Sequence, residues 1–424
     1  MKALAMHHKT VLKNGIRIIS ERLEHFRSIS LGIWVNVGSR DEVEEENGIS
    51  HFIEHMTFKG TRARDSLKIA KELDAIGGFS NAFTGAESTC FHSRVLDKHL
   101  ETLAEILSDI FLNSLFDSQD MSRERQVILQ EINMLEDTPD EQVHVLFNRF
   151  FWPNHPLGMP IMGTPETVAG MNKQTVLGHI RRFYTPGRII VAAAGNVDHD
   201  GLVRYLEPLF ESLPAATEDP VRTAPKGHFG VSCHPKDLEQ AHLCLGGDGP
   251  HLSNDLRFAG AVLNAILGGN MSSRLFQEIR EKRGLAYNVF SFVSSYIDAG
   301  MFGIYVATDP KEVNRALKVI KKEIKKIQKG DISGSDLDAT LEHLIGGILL
   351  GSENTDTRMI RLAKNEGIFG RYISYDEVVS DLQKVTVDQV VEVAVQAFKK
   401  DSVSLVTLGP LQKEELDLNN VSFG

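Results

Sequence analysis

Apolar residues recur along this chain in two rhythms, one typical of strands and the other typical of helices. Residues 28–39 alternate apolar and polar positions, which predicts a strand with one buried face. Residues 67–78 predict a helix that ends at a pair of glycines, and residues 79–95 predict two strands. A second amphipathic helix is predicted over residues 96–111.

The same order of elements recurs later in the chain. Residues 272–284 predict a helix, residues 287–307 predict two strands, and residues 310–324 predict another helix. Two further stretches, 175–196 and 389–410, each predict a helix followed by a strand that runs into a glycine. The pattern therefore indicates two halves that are built alike.

A stretch rich in proline, alanine and charge separates the two halves, and 424 residues are more than one hydrophobic core usually serves. We therefore predict an α+β protein made of two tandem, structurally similar α/β sandwich halves of about 200 residues each, related by internal duplication. The predicted halves are residues 1–215 and 231–424, joined by a linker at 216–230.

Charge narrows the classes of partner. The net charge of −11 argues against nucleic acid, because phosphate binding needs a basic excess. The basic run at 318–330 has apolar residues at helical spacing, which favours the solvated face of an amphipathic helix over a membrane or calmodulin-type site. The acidic run at 40–48 is read as a surface loop, with a bias toward basic substrate residues as the alternative.

Cysteine usage and hydropathy bear on the compartment. Cys90, Cys233 and Cys244 are too few and too scattered for a disulfide framework, and no pair has the spacing of a zinc site. No apolar run approaches 18 residues, and residues 1–15 carry no signal-peptide or transit-peptide pattern. We therefore expect no membrane partner and a cytoplasmic location.

The stretch GISHFIEHMTFKGT, residues 48–61, places two histidines four residues apart. Ser50 is a candidate N-cap, and in the helix that follows His51 and His55 share one face. Glu54 lies on the same side, where a general base could reach a water molecule. A helix that merely contains histidines is the alternative, but the order His-x-x-Glu-His is that of an inverted zinc-peptidase motif.

A zinc site needs a third protein ligand, and residues 122–141 offer one. Their apolar positions predict a helix, and Glu124 and Glu131 lie seven residues apart, two turns along one face. A pair of solvated glutamates is the alternative.

Together these residues resemble the zinc site of the pitrilysin/insulinase-type inverzincins, in particular their short processing-peptidase branch. Glu131 follows His55 by 76 residues. The resemblance implies that His51, His55 and Glu131 bind one Zn²⁺ per chain and that Glu54 activates the attacking water. It also implies that Glu124 supports the site without binding the metal.

The resemblance extends to substrate-contacting residues. In the family an arginine and a tyrosine seven residues apart contact the substrate backbone and the oxyanion, and Arg280 and Tyr287 match them. Asn81, Ala82 and Thr84 match a family strand that binds extended peptides through main-chain hydrogen bonds. Without the resemblance, the alternative is ordinary structure: an arginine on a helix, a tyrosine at the start of a strand and a polar strand in a hairpin are all common.

The resulting expectation is a zinc-dependent endopeptidase that hydrolyses extended or unfolded peptides. The resemblance also implies a homodimer in which the second half of one subunit completes the site of the other, unless the chain folds back in cis. The alternatives are a non-catalytic structural or assembly subunit, which zinc content would distinguish, and a metal-dependent hydrolase with a non-peptide substrate. Zinc is preferred to manganese or cobalt from the ligand types alone.

Overall fold

The computed structural model describes residues 6–211, 213 and 221–423 of the chain. The remaining positions, which include 216–220 of the predicted linker, lie outside the described residues. Within the described part, the strands form two mixed sheets and the rest of the regular structure is helical. The α+β class predicted from the sequence is therefore confirmed.

In the first half, strands β1–β6 cover Met6–Val11, Arg17–Arg22, Ser28–Val35, Phe79–Thr84, Thr89–Leu96 and Ile189–Gly195. Helices α1–α8 cover Ile49–Thr57, Ser66–Ala75, Leu100–Asn113, Ser118–Glu136, Pro139–Phe151, Pro165–Gly170, Lys173–Phe183 and His199–Phe210.

In the second half, strands β7–β11 cover Gly230–Pro235, Ala241–Asp248, Ala286–Ser295, Gly300–Thr308 and Ser404–Gly409. Helices α9–α14 cover Arg257–Leu267, Val313–Gln328, Gly334–Gly351, Thr355–Phe369, Tyr375–Gln383 and Val387–Ala397. The helix predicted at 272–284 contains a π-helical segment, Phe276–Glu281.

The two sheets repeat one topology. The strand order is β1-β2-β6-β3-β5-β4 in the first sheet and β7-β11-β8-β10-β9 in the second. Without β1 the orders match strand for strand, and β2·β6 and β7·β11 are the parallel pairs. The internal duplication is thus confirmed by the pairing of the strands.

The chain folds into two compact units, and neither is a continuous piece of sequence. The first unit contains the residues up to 133, residues 159–222 and residues 351–373. The second contains residues 134–158, 223–350 and the residues from 374 onward.

Each unit thus includes one helix from the other half of the sequence. In the first unit α12 packs on β2, β3 and β6, and in the second α5 packs on the topologically equivalent β8 and β11. The halves predicted from the sequence, 1–215 and 231–424, differ from the compact units in these two helices. The linker boundary at 216–230 stays a prediction.

The first sheet is covered on both faces. One face packs on α3 and α8, and the other buries Trp34 and Ile190 against Met359 and Leu362 of α12. Residues 29–35 of β3 are therefore all buried, and the prediction of a single buried face was wrong. The covering helix comes from more than 300 residues further along the chain, so local alternation could not predict it.

The basic run follows its prediction. Residues 318–328 of the run lie in α10, whose Val319, Ile320, Ile324 and Ile327 are buried. Within residues 6–211, 213 and 221–423, no helix combines the length and apolar character needed to cross a membrane.

Candidate metal centre

Helix α1 turns two different faces to its surroundings. Phe52, Ile53 and Met56 are buried in a cluster with apolar residues of α4 and α7. His51 and His55 lie outside this cluster, with side chains 14% and 17% exposed. Packing of the apolar face therefore fixes the direction in which the two imidazoles point.

The start of α1 differs from the sequence prediction. The helix begins at Ile49, with Gly48 as its N-cap, so Ser50 lies inside the first turn and was wrongly predicted as the cap. The backbone at Gly48 has φ of 91°, and a Cβ there would lie 2.6 Å from the carbonyl oxygen of Met162. Only glycine fits this conformation and this close approach.

Glu131 of α4 faces the two histidines. Its Oε2 atom lies 3.9 Å from Nε2 of His51 and 3.6 Å from Nε2 of His55. One ligand atom from each of the three side chains lies within 4.8 Å of the others. Ligands at about 2.1 Å around a tetrahedral zinc ion are separated by about 3.4 Å, so this arrangement is close to that of a zinc site.

The hydrogen bonding of these side chains also fits a metal ion. Oε2 of Glu131 is buried and has no hydrogen-bond partner among the described residues. Burial, and secondarily the charge of His55, lowers the pKa of His51 to about 4, which favours the neutral imidazole that binds metals. A divalent cation would satisfy the carboxylate oxygen that is otherwise left alone.

Glu124 holds His55 from the side opposite to Glu131. Its Oε2 atom lies 3.2 Å from Nδ1 of His55, and its Oε1 atom pairs with Nζ of Lys59 at 2.7 Å. A carboxylate at Nδ1 favours the tautomer in which Nε2 is free to bind a metal. Lys59, just beyond the end of α1, was not singled out from the sequence, because a lysine four residues after His55 has no pattern that marks it.

Glu54 lies beside the ligand cluster and is held by the neighbouring strand. The hydroxyl of Thr84 in β4 donates a hydrogen bond of 2.6 Å to Oε2 of Glu54. Burial raises the pKa of Glu54, and the hydrogen bond from Thr84 opposes this change. Thr84 therefore contacts the candidate base through its side chain.

A cavity of about 530 Å³ adjoins Glu54 and His55. Strand β4 forms part of its wall, and as the last strand of its sheet it leaves one edge unpaired by any described strand. Asn81 and Ala82 of β4 line the cavity, whose other walls come from α1, α2 and α4. Its lining also includes Phe58, Ile69, Ala70 and Leu73.

Arg280 and Tyr287 lie together in the second compact unit. The guanidinium carbon of Arg280 is 4.3 Å from the centre of the Tyr287 ring, and the tyrosine is 78% exposed. The structure thus brings these two predicted residues into contact with each other. Their role in catalysis stays a prediction.

The acidic run before α1 is mostly structural. Glu42 is buried and accepts backbone hydrogen bonds from Gly48 and Ser50. Asp41 pairs with Arg222 at 2.7 Å. The exposed part of the run is short, residues 43–45, so the run as a whole is not a solvated loop.

Comparisons with known proteins agree with this site and fold. Residues 17–165 match the family model "Insulinase (Peptidase family M16)", and residues 170–344 match "Peptidase M16 inactive domain". A relative named zinc protease YmxG from Bacillus subtilis is 39% identical over 92% of this chain and 95% of its own length. The zinc protease SCO5738 from Streptomyces coelicolor is also 39% identical, over 96% of this chain and 90% of its own length. Both names carry the word "uncharacterized".

Solved structures share the fold. A protease from Helicobacter pylori superposes with a TM-score of 0.90 at 23% identity, covering 96% of this chain and 100% of that one. A peptidase M16 inactive domain from Pseudomonas fluorescens gives a TM-score of 0.88 at 18% identity, covering 96% and 98%. With the matches in sequence, these findings place the chain in the insulinase, or M16, family of peptidases.

Proposed function

We propose that this protein is a zinc-dependent endopeptidase that hydrolyses extended or unfolded peptides. The observation that carries the proposal is the convergence of His51, His55 and Glu131, with Glu54 beside them. The choice of metal is supported by the relatives, because both are named as zinc proteases.

His51, His55 and Glu131 would hold one zinc ion, while Glu124 orients His55. A zinc ion held there would supply Lewis acidity and lower the pKa of a water molecule to about 7. Glu54 takes the proton from the attacking water and passes it to the leaving amine. Thr84 fixes the Glu54 carboxylate in position for this transfer.

The substrate would lie along β4. The free edge of this strand offers main-chain donors and acceptors to an extended peptide, and the cavity beside it accommodates a side chain. Asn81 and Ala82 would contact the peptide here. Main-chain hydrogen bonds depend little on the side chains of the peptide, so this mode of binding suits unfolded substrates of varied sequence.

Arg280 and Tyr287 would contact the substrate backbone and donate to the oxyanion that develops at the attacked carbonyl. We further propose a homodimer in which these two residues complete the site of the partner chain. Measuring mass by light scattering in parallel with activity tests this, since a fully active monomer would contradict it. The cytoplasmic location stays a prediction.

Substituting Glu54→Gln tests the catalytic proposal. The amide keeps the size of the side chain but cannot accept the proton, so turnover of an unstructured peptide should fall by about 10²–10⁴-fold. Zinc measured by elemental analysis should stay at the wild-type level, because Glu54 is not a ligand. Glu45→Gln makes the same charge change at an exposed position and serves as the control.

Two results would contradict the proposal. Near wild-type turnover in Glu54→Gln would show that Glu54 is not the general base. Purification of the wild-type chain without zinc, and without activity after zinc is added, would favour the structural or assembly subunit instead.

A further inference from the structure

The first turn of α1 has no cap from its own residues. Gly48 occupies the N-cap position and offers no side chain to accept a hydrogen bond. The first backbone N–H groups of a helix need acceptors from elsewhere, and burial here keeps water from supplying them. Residues 48–50 are all buried.

The acceptor is Glu42, from the loop before the helix. Its Oε2 atom accepts from the backbone N–H of Gly48 at 2.7 Å and from the side-chain amide of Asn47 at 3.0 Å. Its Oε1 atom accepts from the backbone N–H of Ser50 at 2.9 Å. One carboxylate, 3% exposed, thus uses both oxygens to close the start of the helix.

A buried carboxylate is costly unless it is well bonded: burial raises the pKa of Glu42, and the backbone hydrogen bonds from Ser50 and Gly48 oppose this change. The carboxylate accepts three hydrogen bonds and lies at a helix N-terminus, where the helix dipole favours negative charge. Asn47 in turn donates to the carbonyl of Pro160 at 3.0 Å, so the cap is anchored to a second segment.

His51 directly follows Ser50 and lies in this same first turn. Metal ligands must be held within about 0.2 Å of their bonding distances, so fraying of the turn would displace one of the three ligands. Glu131 lies inside α4, and His55 lies in the last turn of α1, where the hydroxyl of Ser114 donates to the carbonyl oxygens of Met56 and Thr57. The position of His51 depends instead on the first turn, which a carboxylate from outside the helix closes.

We propose that Glu42 is a positioning residue of the metal centre, which caps α1 and thereby holds His51 in place to bind zinc. The inference rests on the proposed function, because it takes the three side chains to be zinc ligands. It assigns a role to a residue that touches neither metal nor substrate.

The test is Glu42→Gln in the full-length chain, with zinc affinity measured by competition against a chromophoric chelator. Glutamine has one acceptor oxygen where glutamate has two, and its NH₂ group would face a backbone N–H. We expect zinc affinity to fall by about 10-fold or more, the range typical of groups that orient metal ligands. Glu45→Gln, with the same charge change at an exposed position, should bind zinc as the wild type does.

Hydrogen exchange of the zinc-free proteins separates a local effect from general instability. Residues 48–53 should exchange faster in Glu42→Gln, while the core strands of both sheets exchange as in the wild type. If Glu42→Gln does not fold, Glu42→Asp keeps the charge but shortens the side chain, and should show the same local effect.

The outcomes are distinguishable. Wild-type zinc affinity in whichever variant folds, or faster exchange throughout the chain, would overturn the role of Glu42. Absence of zinc binding by the wild-type chain would instead overturn the proposed function.

Discussion

Thr84 has two possible roles, contact with the substrate and a hydrogen bond to Glu54, and substituting Thr84 should distinguish them. The family resemblance implies that Thr84 contacts substrate, whereas the structure shows its hydroxyl donating to the candidate base at 2.6 Å. Thr84→Val removes the hydroxyl and keeps the shape of the side chain. The pH dependence of kcat/KM then reports which role matters.

The size of the effect follows from the hydrogen bond. A hydrogen bond to a charged group is worth about 1.5–3 kcal/mol, and one pKa unit corresponds to about 1.36 kcal/mol. The bond stabilises the ionised carboxylate, so its loss raises the pKa of Glu54 further in the direction in which burial already raises it. Because Glu54 is only partly buried, screening by solvent reduces the expected change to about 1 unit.

The assay is kcat/KM for an unstructured peptide across pH with saturating zinc. The acidic limb reports the base of the free enzyme, so it should move to higher pH by about 1 unit, while the rate on the plateau is largely kept. Thr340→Val removes an exposed hydroxyl from α11 and should leave the limb unchanged. An unmoved acidic limb together with a raised KM would refute the reasoning and favour a substrate contact.

Two further substitutions probe the neighbouring groups. Glu124→Gln removes the charge that pairs with Lys59 and faces His55. Zinc affinity, measured by chelator competition, should therefore fall by about 10–100-fold. An unchanged affinity would show that His55 does not need Glu124 in order to bind zinc. Tyr287→Phe removes the hydroxyl proposed to donate to the oxyanion but keeps the ring that Arg280 stacks on. If the proposal is right, kcat should fall by about 10²–10³-fold with little change in KM. A kcat within a few-fold of wild type would exclude Tyr287 from that role, and Asn288→Ala at the adjacent exposed position is the control.

The pair of histidines in the candidate metal centre was predictable because its spacing is local. A separation of four residues places His51 and His55 on one helix face, and seven residues relate Glu124 to Glu131 in the same way. The structure brings His51, His55 and Glu131 together, as the family resemblance implied. Which helix supplies the third ligand came from the family resemblance, since no short-range pattern links residues so far apart.

Glu42 was not predictable by the same means. It lies in an acidic run that composition alone assigns to a solvated loop, and its partners at Gly48 and Ser50 are backbone N–H groups without a residue-type signature. Ser50 looked like the cap because serine is common at that position, but Gly48, in the left-handed conformation, is the N-cap instead. A carboxylate a few residues before a glycine that opens a helix is a signal that Glu44, Glu45 and Glu46 share, so it does not single out Glu42.

Helix α12, from the second half of the sequence, packs on the first sheet, and this affects how the chain folds during synthesis. On the ribosome, the first sheet emerges long before Met359 and Leu362, the side chains that seal Trp34 and Ile190 from water. A nascent chain released at the linker would therefore display an apolar surface, and we expect such a fragment to aggregate or to recruit chaperones. We therefore expect the N-terminal sheet to be fully covered only after α12, which ends at Phe369, has left the ribosome.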